Sequence, residues 1–213
     1  FPLLTGAFVL HARERDEASG LCLALAILLK PVLAPMGAVI LLARAWRLLA
    51  STVVSGATLG VLSLLLFGLP LHLQWVQAVL QESARWEMPW WINAALTTPV
   101  ITPWVDGTDT MRAVVPMPSL ASSLTLLVRL AAAALVLWRA WTVTRHAPPA
   151  ARREQTFVLG LVLALCTSNV VWSHYLLFVL LPWLLLVARL PVAPAPRRVF
   201  AALLLVSVAR ASF

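Results

Sequence analysis

The sequence predicts an all-α fold, a polytopic bundle of helices that spans a membrane. Of the 213 residues, 62% are hydrophobic and only 11% are charged, whereas a soluble domain carries about 25% charged residues. The apolar residues form several runs, and a helix needs about 20 such residues to cross a bilayer. The arginines lie in the short connections between these runs. Together these observations indicate an integral membrane protein.

The net charge of +8 does not indicate a nucleic-acid-binding protein. Cytoplasmic loops of membrane proteins carry an excess of arginine and lysine, and the basic residues here follow that rule. Those in the connections are Arg44, Arg47, Arg139, Arg145, Arg152, Arg153, Arg189, Arg197 and Arg198. We therefore expect membrane lipids, and no nucleic acid, among the partners of the protein.

The first two apolar regions are separated by a basic connection. The first, residues 18–43, carries Lys30 and a following proline at its centre, so it is either one kinked span or two short helices that meet at Lys30. The second, residues 48–71, has no charged residue and would extend about 36 Å as a helix. Arg44 and Arg47 precede this span and place its start in the cytoplasm.

Residues 72–118 are predicted to form an extracytoplasmic loop, because their charged residues are of both signs and lack the basic excess of the other connections. The loop is rich in tryptophan, which prefers the headgroup region of a membrane. Its first part, residues 73–86, has apolar residues at helical spacing. This pattern predicts an amphipathic helix that lies on the membrane or caps a cavity.

Four further spans are predicted after this loop. They cover residues 119–138, 155–167, 174–188 and 198–213. Residues 155–167 would extend only about 20 Å as a helix, so the polar turn that follows lies below the membrane surface or faces a cavity. The chain opens inside an apolar stretch, and its last apolar stretch is too short to span. We therefore expect a fragment of a longer protein, truncated at both ends.

A polar and aromatic segment, residues 167–175, separates two of the predicted spans. It contains Ser168, Trp172 and His174. Polar groups at the edge of hydrocarbon are costly, so they indicate a functional site. The imidazole of His174 can hydrogen-bond a sugar hydroxyl or a phosphate oxygen, or it can be structural. The indole of Trp172 can stack on a sugar ring or anchor the membrane interface.

Three more polar residues are candidates for binding. Lys30 is the only lysine in the chain, and it can act as the counter-charge of an anion such as a phosphate. Alternatively, it snorkels to the membrane surface or binds carbonyls freed at the proline. Arg129, midway along its predicted span, can bind a phosphate or pair with another helix. Asn93, in the outer loop, can cap a helix or bind a substrate hydroxyl.

The order of these features resembles the multi-spanning GT-C glycosyltransferases, and specifically glycosyltransferase family 87 (the DUF2029 group). The matching residues are Lys30-Pro31 after an apolar run, Arg44, Trp46 and Arg47 at the end of the next run, Asn93, and finally Ser168, Trp172 and His174. Residues that differ from the family pattern are Ala94, Ala95, Asn169, Val171, Ser173 and Tyr175.

This resemblance implies an enzyme that moves a sugar, with mannose as the expected sugar, from a polyprenyl-phosphate donor to an extracytoplasmic lipid or glycan acceptor. The implied substrate-binding residues are Lys30, Asn93, Ser168, Trp172 and His174, with no metal or other cofactor. The catalytic base of such enzymes is an Asp in the first outer loop, which precedes the residues matched here, so no base is assigned. The implied location is the bacterial plasma membrane, with the active site facing outside.

Two other classes of protein fit the residues. A multi-spanning transporter or flippase for an anionic or lipid-linked substrate would use Lys30 and Arg129 as intramembrane counter-charges. Transporters usually keep their outer loops short, however, and residues 72–118 are long and rich in tryptophan. A membrane scaffold without catalytic activity would need neither Lys30 nor His174.

Overall fold

The computed structural model describes residues 2–85 and 119–168. Within these ranges every regular element is helical, which confirms the predicted all-α membrane bundle. The elements are α1 (Pro2–Ala12), α2 (Asp16–Leu29), a 3-10 turn (Pro31–Leu33), α3 (Met36–Leu42), α4 (Trp46–Arg85), α5 (Ser119–His146) and α6 (Pro149–Thr167). Within the described part, α4 over Trp46–Ala78 and α5 over Leu120–His146 are long and apolar enough to cross a membrane.

The first apolar region consists of two short helices, α2 and α3, with the 3-10 turn between them. Lys30 ends α2 with φ −140° and ψ 88°, outside the helical region. The cause is Pro31, because a proline ring disfavours the α conformation at the preceding residue and the proline has no N–H to continue the helix. The chain therefore breaks at the lysine that the sequence analysis singled out.

The helix α4 is longer than the predicted span 48–71, and it continues through the first part of the predicted outer loop as far as Arg85. It bends at Gly68, which has φ 75° and ψ 158°, a conformation that is essentially restricted to glycine. His72 lies across this bend. Its Nδ1 donates to the carbonyl oxygen of Gly68 at 2.8 Å, and its Nε2 accepts from the hydroxyl of Ser63 at 2.9 Å. The remaining loop residues, 86–118, lie outside the described ranges.

The helices α2 and α4 lie side by side and run in the same direction. The hydroxyl of Ser51 donates to the carbonyl oxygen of Glu17 at 2.7 Å. A Cβ at Gly20 would lie 2.5 Å from the side chain of Ser51, and one at Gly56 would lie 4.0 Å from Ala24. Only a glycine at position 20 allows this close approach. Since Gly20 lies beside Ser51 and Ala24 beside Gly56, continuing along the two parallel helices places Lys30 about level with the middle of α4.

The helix α1 is antiparallel to both α2 and α6. The ring centroids of Phe8 and Phe157 are 5.4 Å apart, and Arg153 Nη1 donates to the carbonyl oxygen of His11 at 3.3 Å. Met36, Leu161 and other apolar residues complete a core between α1, α2, α3 and α6. Since α2 and α6 are both antiparallel to α1, they run parallel and begin at the same end of the bundle.

This arrangement gives the bundle two distinct ends. The arginine end contains residues 11–17, 43–47 and 145–153, where α2, α4 and α6 begin and α1, α3 and α5 end. The lysine end contains Lys30 and Ser168, where α2 and α6 end. Between the two ends, α4 and α5 carry large exposed apolar side chains, such as Leu65 at 77% and Leu66 at 76% exposure. Such surfaces suit contact with lipid tails.

Candidate functional site

Lys30 is held at the lysine end by the break between α2 and the 3-10 turn. Its backbone N–H donates to the carbonyl oxygen of Ala26 at 2.9 Å, and its own carbonyl oxygen accepts from the N–H of Leu33 at 3.0 Å. The residue is half-buried. A cation near the C-terminus of a helix is stabilised by the helix dipole, by about 0.3–1 kcal/mol, so the backbone itself favours a lysine here.

Ser168 marks the end of α6. It is half-buried, and its backbone turns to an extended conformation with φ −76° and ψ 138°. The preceding Thr167 uses its hydroxyl to bind the carbonyl oxygen of Leu163 at 2.8 Å. Consequently the chain leaves the helix at the serine that the sequence analysis identified.

The structure brings Lys30 and Ser168 to the same end of the bundle. Asp16 and Arg153 form an ion pair at 3.0 Å at the arginine end. From this pair, α2 reaches Lys30 after 14 residues and α6 reaches Ser168 after 15 residues, which correspond to about 21 and 22 Å along parallel helices. The side chain of Arg129, half-buried in α5, lies toward the same end, because α5 is antiparallel to α6.

Asn93, Trp172 and His174 lie outside the described residues. Their part in the site stays a prediction. Within residues 2–85 and 119–168, no group of three or more histidine, cysteine or acidic side chains is arranged to hold a metal ion.

The arginine end has a polar network that the sequence analysis did not foresee. His11 Nδ1 donates to Asp16 Oδ1 at 2.7 Å, and Arg153 Nη1 donates to the same oxygen at 3.0 Å. Burial lowers the pKa of His11, and the hydrogen bond to Asp16 offsets this only in part. His11 is therefore neutral at pH 7. The sequence carries one local signal of this network: His11 precedes Asp16 by five residues, across the connection between α1 and α2.

A network of this kind joins distant parts of the chain. Asp16 and Arg153 are 137 residues apart in sequence. In the sequence, the arginines indicate how the helices are oriented, and each connection is visible only by itself. Their contacts with one another become visible only once α1 and α6 are packed together.

Comparison with known proteins identifies the family. The model of glycosyltransferase family 87 matches residues 2–168. This range includes Lys30, Asn93 and Ser168, and it ends before Trp172 and His174. No curated protein and no solved structure gives a significant match. The family match covers well over half of the 213 residues and confirms the resemblance drawn from the sequence. The chain belongs to glycosyltransferase family 87.

Proposed function

We propose that this membrane glycosyltransferase moves mannose from a polyprenyl-phosphate donor to a lipid or glycan acceptor on the extracytoplasmic side. The family establishes sugar transfer, and this favours a transferase over a transporter or flippase. The observation that carries the more specific proposal is the position of Lys30. It is a half-buried cation at a break between helices, at the end of the bundle opposite the arginines.

The distribution of charge supports the orientation. The arginine end collects most of the described basic side chains, in the connections before α2, after α3 and around the start of α6. By the positive-inside rule this end faces the cytoplasm. The lysine end then faces the opposite leaflet, where a lipid-linked donor presents its phosphate.

In the proposed reaction, an acceptor hydroxyl loses its proton to a base and attacks the anomeric carbon of the donor sugar. The bond between that carbon and the phosphate oxygen breaks, and the polyprenyl phosphate leaves with the negative charge. The ammonium of Lys30 stabilises this charge electrostatically, so no metal or other cofactor is required. We assign no base within this chain.

The other candidate residues serve binding and orientation in this proposal. The hydroxyl of Ser168 and the side chains of Asn93 and His174 hydrogen-bond the sugar or the phosphate. Trp172 stacks on the sugar ring. Arg129, which lies toward the same end as Lys30, adds a second positive charge near the phosphate.

The test uses the full-length protein in proteoliposomes supplied with polyprenyl-phosphomannose. Substitution Lys30→Ala should lower the rate of mannose transfer by about 100-fold, the usual effect of removing one group that stabilises a developing negative charge. Lys30→Arg keeps the charge and should retain much of the rate. Parallel reactions with glucose and arabinose donors test the choice of sugar.

A neighbouring residue provides the control. Leu29 precedes Lys30 and is 73% exposed on the apolar surface, so Leu29→Ala should transfer mannose at the wild-type rate. If Lys30→Ala also transfers mannose at that rate, Lys30 does not act on the leaving phosphate and the proposal is wrong.

A further inference from the structure

The arginine end contains a cavity of about 390 Å³. This cavity is here called the arginine cavity. Its charged and histidine side chains are those of Arg44, Arg47, Arg152, Arg153, Asp16 and His11. With His11 neutral, four guanidinium groups face one carboxylate, so the lining has a formal excess of three positive charges. Arg44 and Arg47 are exposed, so the cavity is open to solvent on their side, and such an excess of positive charge favours an anionic ligand.

The arginines of this cavity differ in their ion pairs and hydrogen bonds. Arg153 binds Asp16 at 3.0 Å, and Arg152 Nη2 donates to the carbonyl oxygen of Ala147 at 3.3 Å. Arg44 and Arg47 form no ion pair with any residue in the described ranges. Their two guanidinium groups are therefore the part of the lining that is left to bind a ligand.

Arg44 is held beside the cavity in an unfavourable backbone conformation. Its φ is 54°, in the left-handed region where glycine is the usual residue. It ends α3 in a Schellman motif: its N–H donates to Leu41 at 3.0 Å, and the N–H of Ala45 donates to Ile40 at 3.1 Å. A glycine would make the same turn without strain.

The N-terminus of α6 is a further feature of the lining that suits a phosphate group. The helix α6 begins at Pro149 in the cavity wall, and its N-cap residue Pro148 supplies no side-chain hydrogen bond, so the positive end of the helix dipole is directed toward this region. The side chain of His11 is only 3% exposed, and its Nε2 has no hydrogen-bond partner within the described part of the chain. This nitrogen is itself buried, so His11 forms part of the cavity wall and is not a ligand in the proposal below.

We propose that the arginine cavity binds the phosphate group of a phosphate ester, with Arg44 and Arg47 as its principal ligands. This site lies at the opposite end of the bundle from Lys30 and is independent of the proposed transfer reaction. The phosphate belongs to the headgroup of an anionic lipid or to a soluble compound. Trp46, which also lines the cavity and is 58% exposed, is a residue type that favours the headgroup region.

The experiment compares two variants with the same backbone effect. Glu14 also has a left-handed backbone, with φ 64°, and its N–H and that of Arg15 close the same motif on His11 and Leu10. Both Arg44→Gly and Glu14→Gly relieve strain and preserve the fold, yet Arg44 alone of the two lines the cavity.

The full-length protein is placed in nanodiscs of phosphatidylglycerol or phosphatidylcholine, and separately in detergent with inorganic phosphate or pyrophosphate. The thermal midpoint is measured in each, and retained lipid is counted by native mass spectrometry. For the wild type we expect a higher midpoint with one anionic probe. Arg44→Gly should weaken binding of that probe by about tenfold, the effect of losing one charge-assisted hydrogen bond. Glu14→Gly should bind it at least as well as the wild type does, because it removes a carboxylate that lies 3.8 Å from Arg153.

Each outcome decides the proposal. A phosphatidylglycerol effect that requires Arg44 identifies a lipid headgroup, and a phosphate or pyrophosphate effect that requires Arg44 identifies a soluble ligand. If no anionic probe raises the midpoint, or if Arg44→Gly responds as strongly as Glu14→Gly, the cavity does not bind phosphate through Arg44 and the proposal fails.

Discussion

The two ends of the bundle use charged residues in different ways. At the arginine end, side chains of both signs contact one another, and Asp16 joins His11 from α1 to Arg153 from α6. At the lysine end, the described features are interruptions of the backbone: the break at Lys30, the end of α6 at Ser168 and, slightly beyond their level, the bend at Gly68.

This difference separates charged side chains that contact one another across helices from a charged side chain that the proposed function assigns to the substrate. The network at the arginine end holds helices together, at the end that faces the cytoplasm in the proposed orientation. At the lysine end, the backbone interruptions place polar side chains where continuous helices would present only apolar ones. We therefore expect substitutions at the arginine end to change mainly stability, and substitutions at the lysine end to change mainly activity.

The largest effect on stability is expected from Asp16→Ala. This change leaves the mostly buried Arg153 and His11 without their shared partner, which should cost about 3 kcal/mol of unfolding free energy. The matched control is Glu17→Ala, because Glu17 is the next residue, is exposed and contributes only its backbone carbonyl to the contact with Ser51. Thermal unfolding in detergent measures both. Equal midpoints for the two variants would show that the network does not hold the arginine end.

A smaller effect on stability is expected from Gly20→Ala, which tests the close contact between α2 and α4. The added methyl group would lie 2.5 Å from Ser51 and 2.8 Å from the backbone nitrogen of Thr52, so α2 and α4 must separate, at a cost of about 2 kcal/mol. Gly37→Ala is the control. Nothing lies within 4 Å of its Cβ position in α3, so this variant should be as stable as the wild type or more so.

The rate of sugar transfer provides a second test of the contact between α2 and α4. Because α2 carries Lys30, its displacement in Gly20→Ala should also slow sugar transfer in protein that is still folded at the assay temperature. Unchanged stability and rate would mean that α2 and α4 are not in close contact at this position.

The smallest effect is a pH dependence from His11. Burial holds the pKa of His11 in the folded chain below the ordinary value of 6.5. At a pH between the folded-state pKa and 6.5, the unfolded chain therefore binds more protons than the folded chain. Stability therefore falls as the pH drops through 6.5, and it stops falling below the folded-state pKa. Thermal midpoints at about pH 7.5 and 5.5 should differ less in His11→Gln than in the wild type, because glutamine does not titrate. An identical difference would exclude His11 as the source.

Much of the fold follows from the sequence because its signals are local. Apolar runs and arginine-rich connections predict the helices and the cytoplasmic ends, and Pro31 predicts the interruption at Lys30. The length of α4 is harder to predict. Hydropathy suggests an end near residue 71, whereas the helix continues to Arg85 through a bend that depends on Gly68 and on the bonds of His72.

The sequence predicts less of the candidate site than of the fold. The orientation of the crossings places Ser168 on the extracytoplasmic side, whereas the sequence leaves open whether Lys30 lies within one kinked span or between two short helices. The structure has two short helices and brings Lys30 to the same end as Ser168. The roles of Asn93, Trp172 and His174 stay predictions. The arginine cavity was not predictable, because it depends on contacts between residues far apart in sequence, such as His11 and Arg153, which are 142 residues apart.

The shortness of α2 has a consequence for the choice of donor. Its 14 residues extend about 21 Å, against a hydrocarbon thickness of about 30 Å. With the arginine end at the cytoplasmic boundary, as proposed, a phosphate must give up part of its hydration to reach Lys30. A sugar nucleotide, with two phosphates and a polar base, would bear a large desolvation penalty there. A polyprenyl phosphate is already anchored at the membrane boundary, so the length of α2 favours the lipid-linked donor that we propose over a water-soluble one.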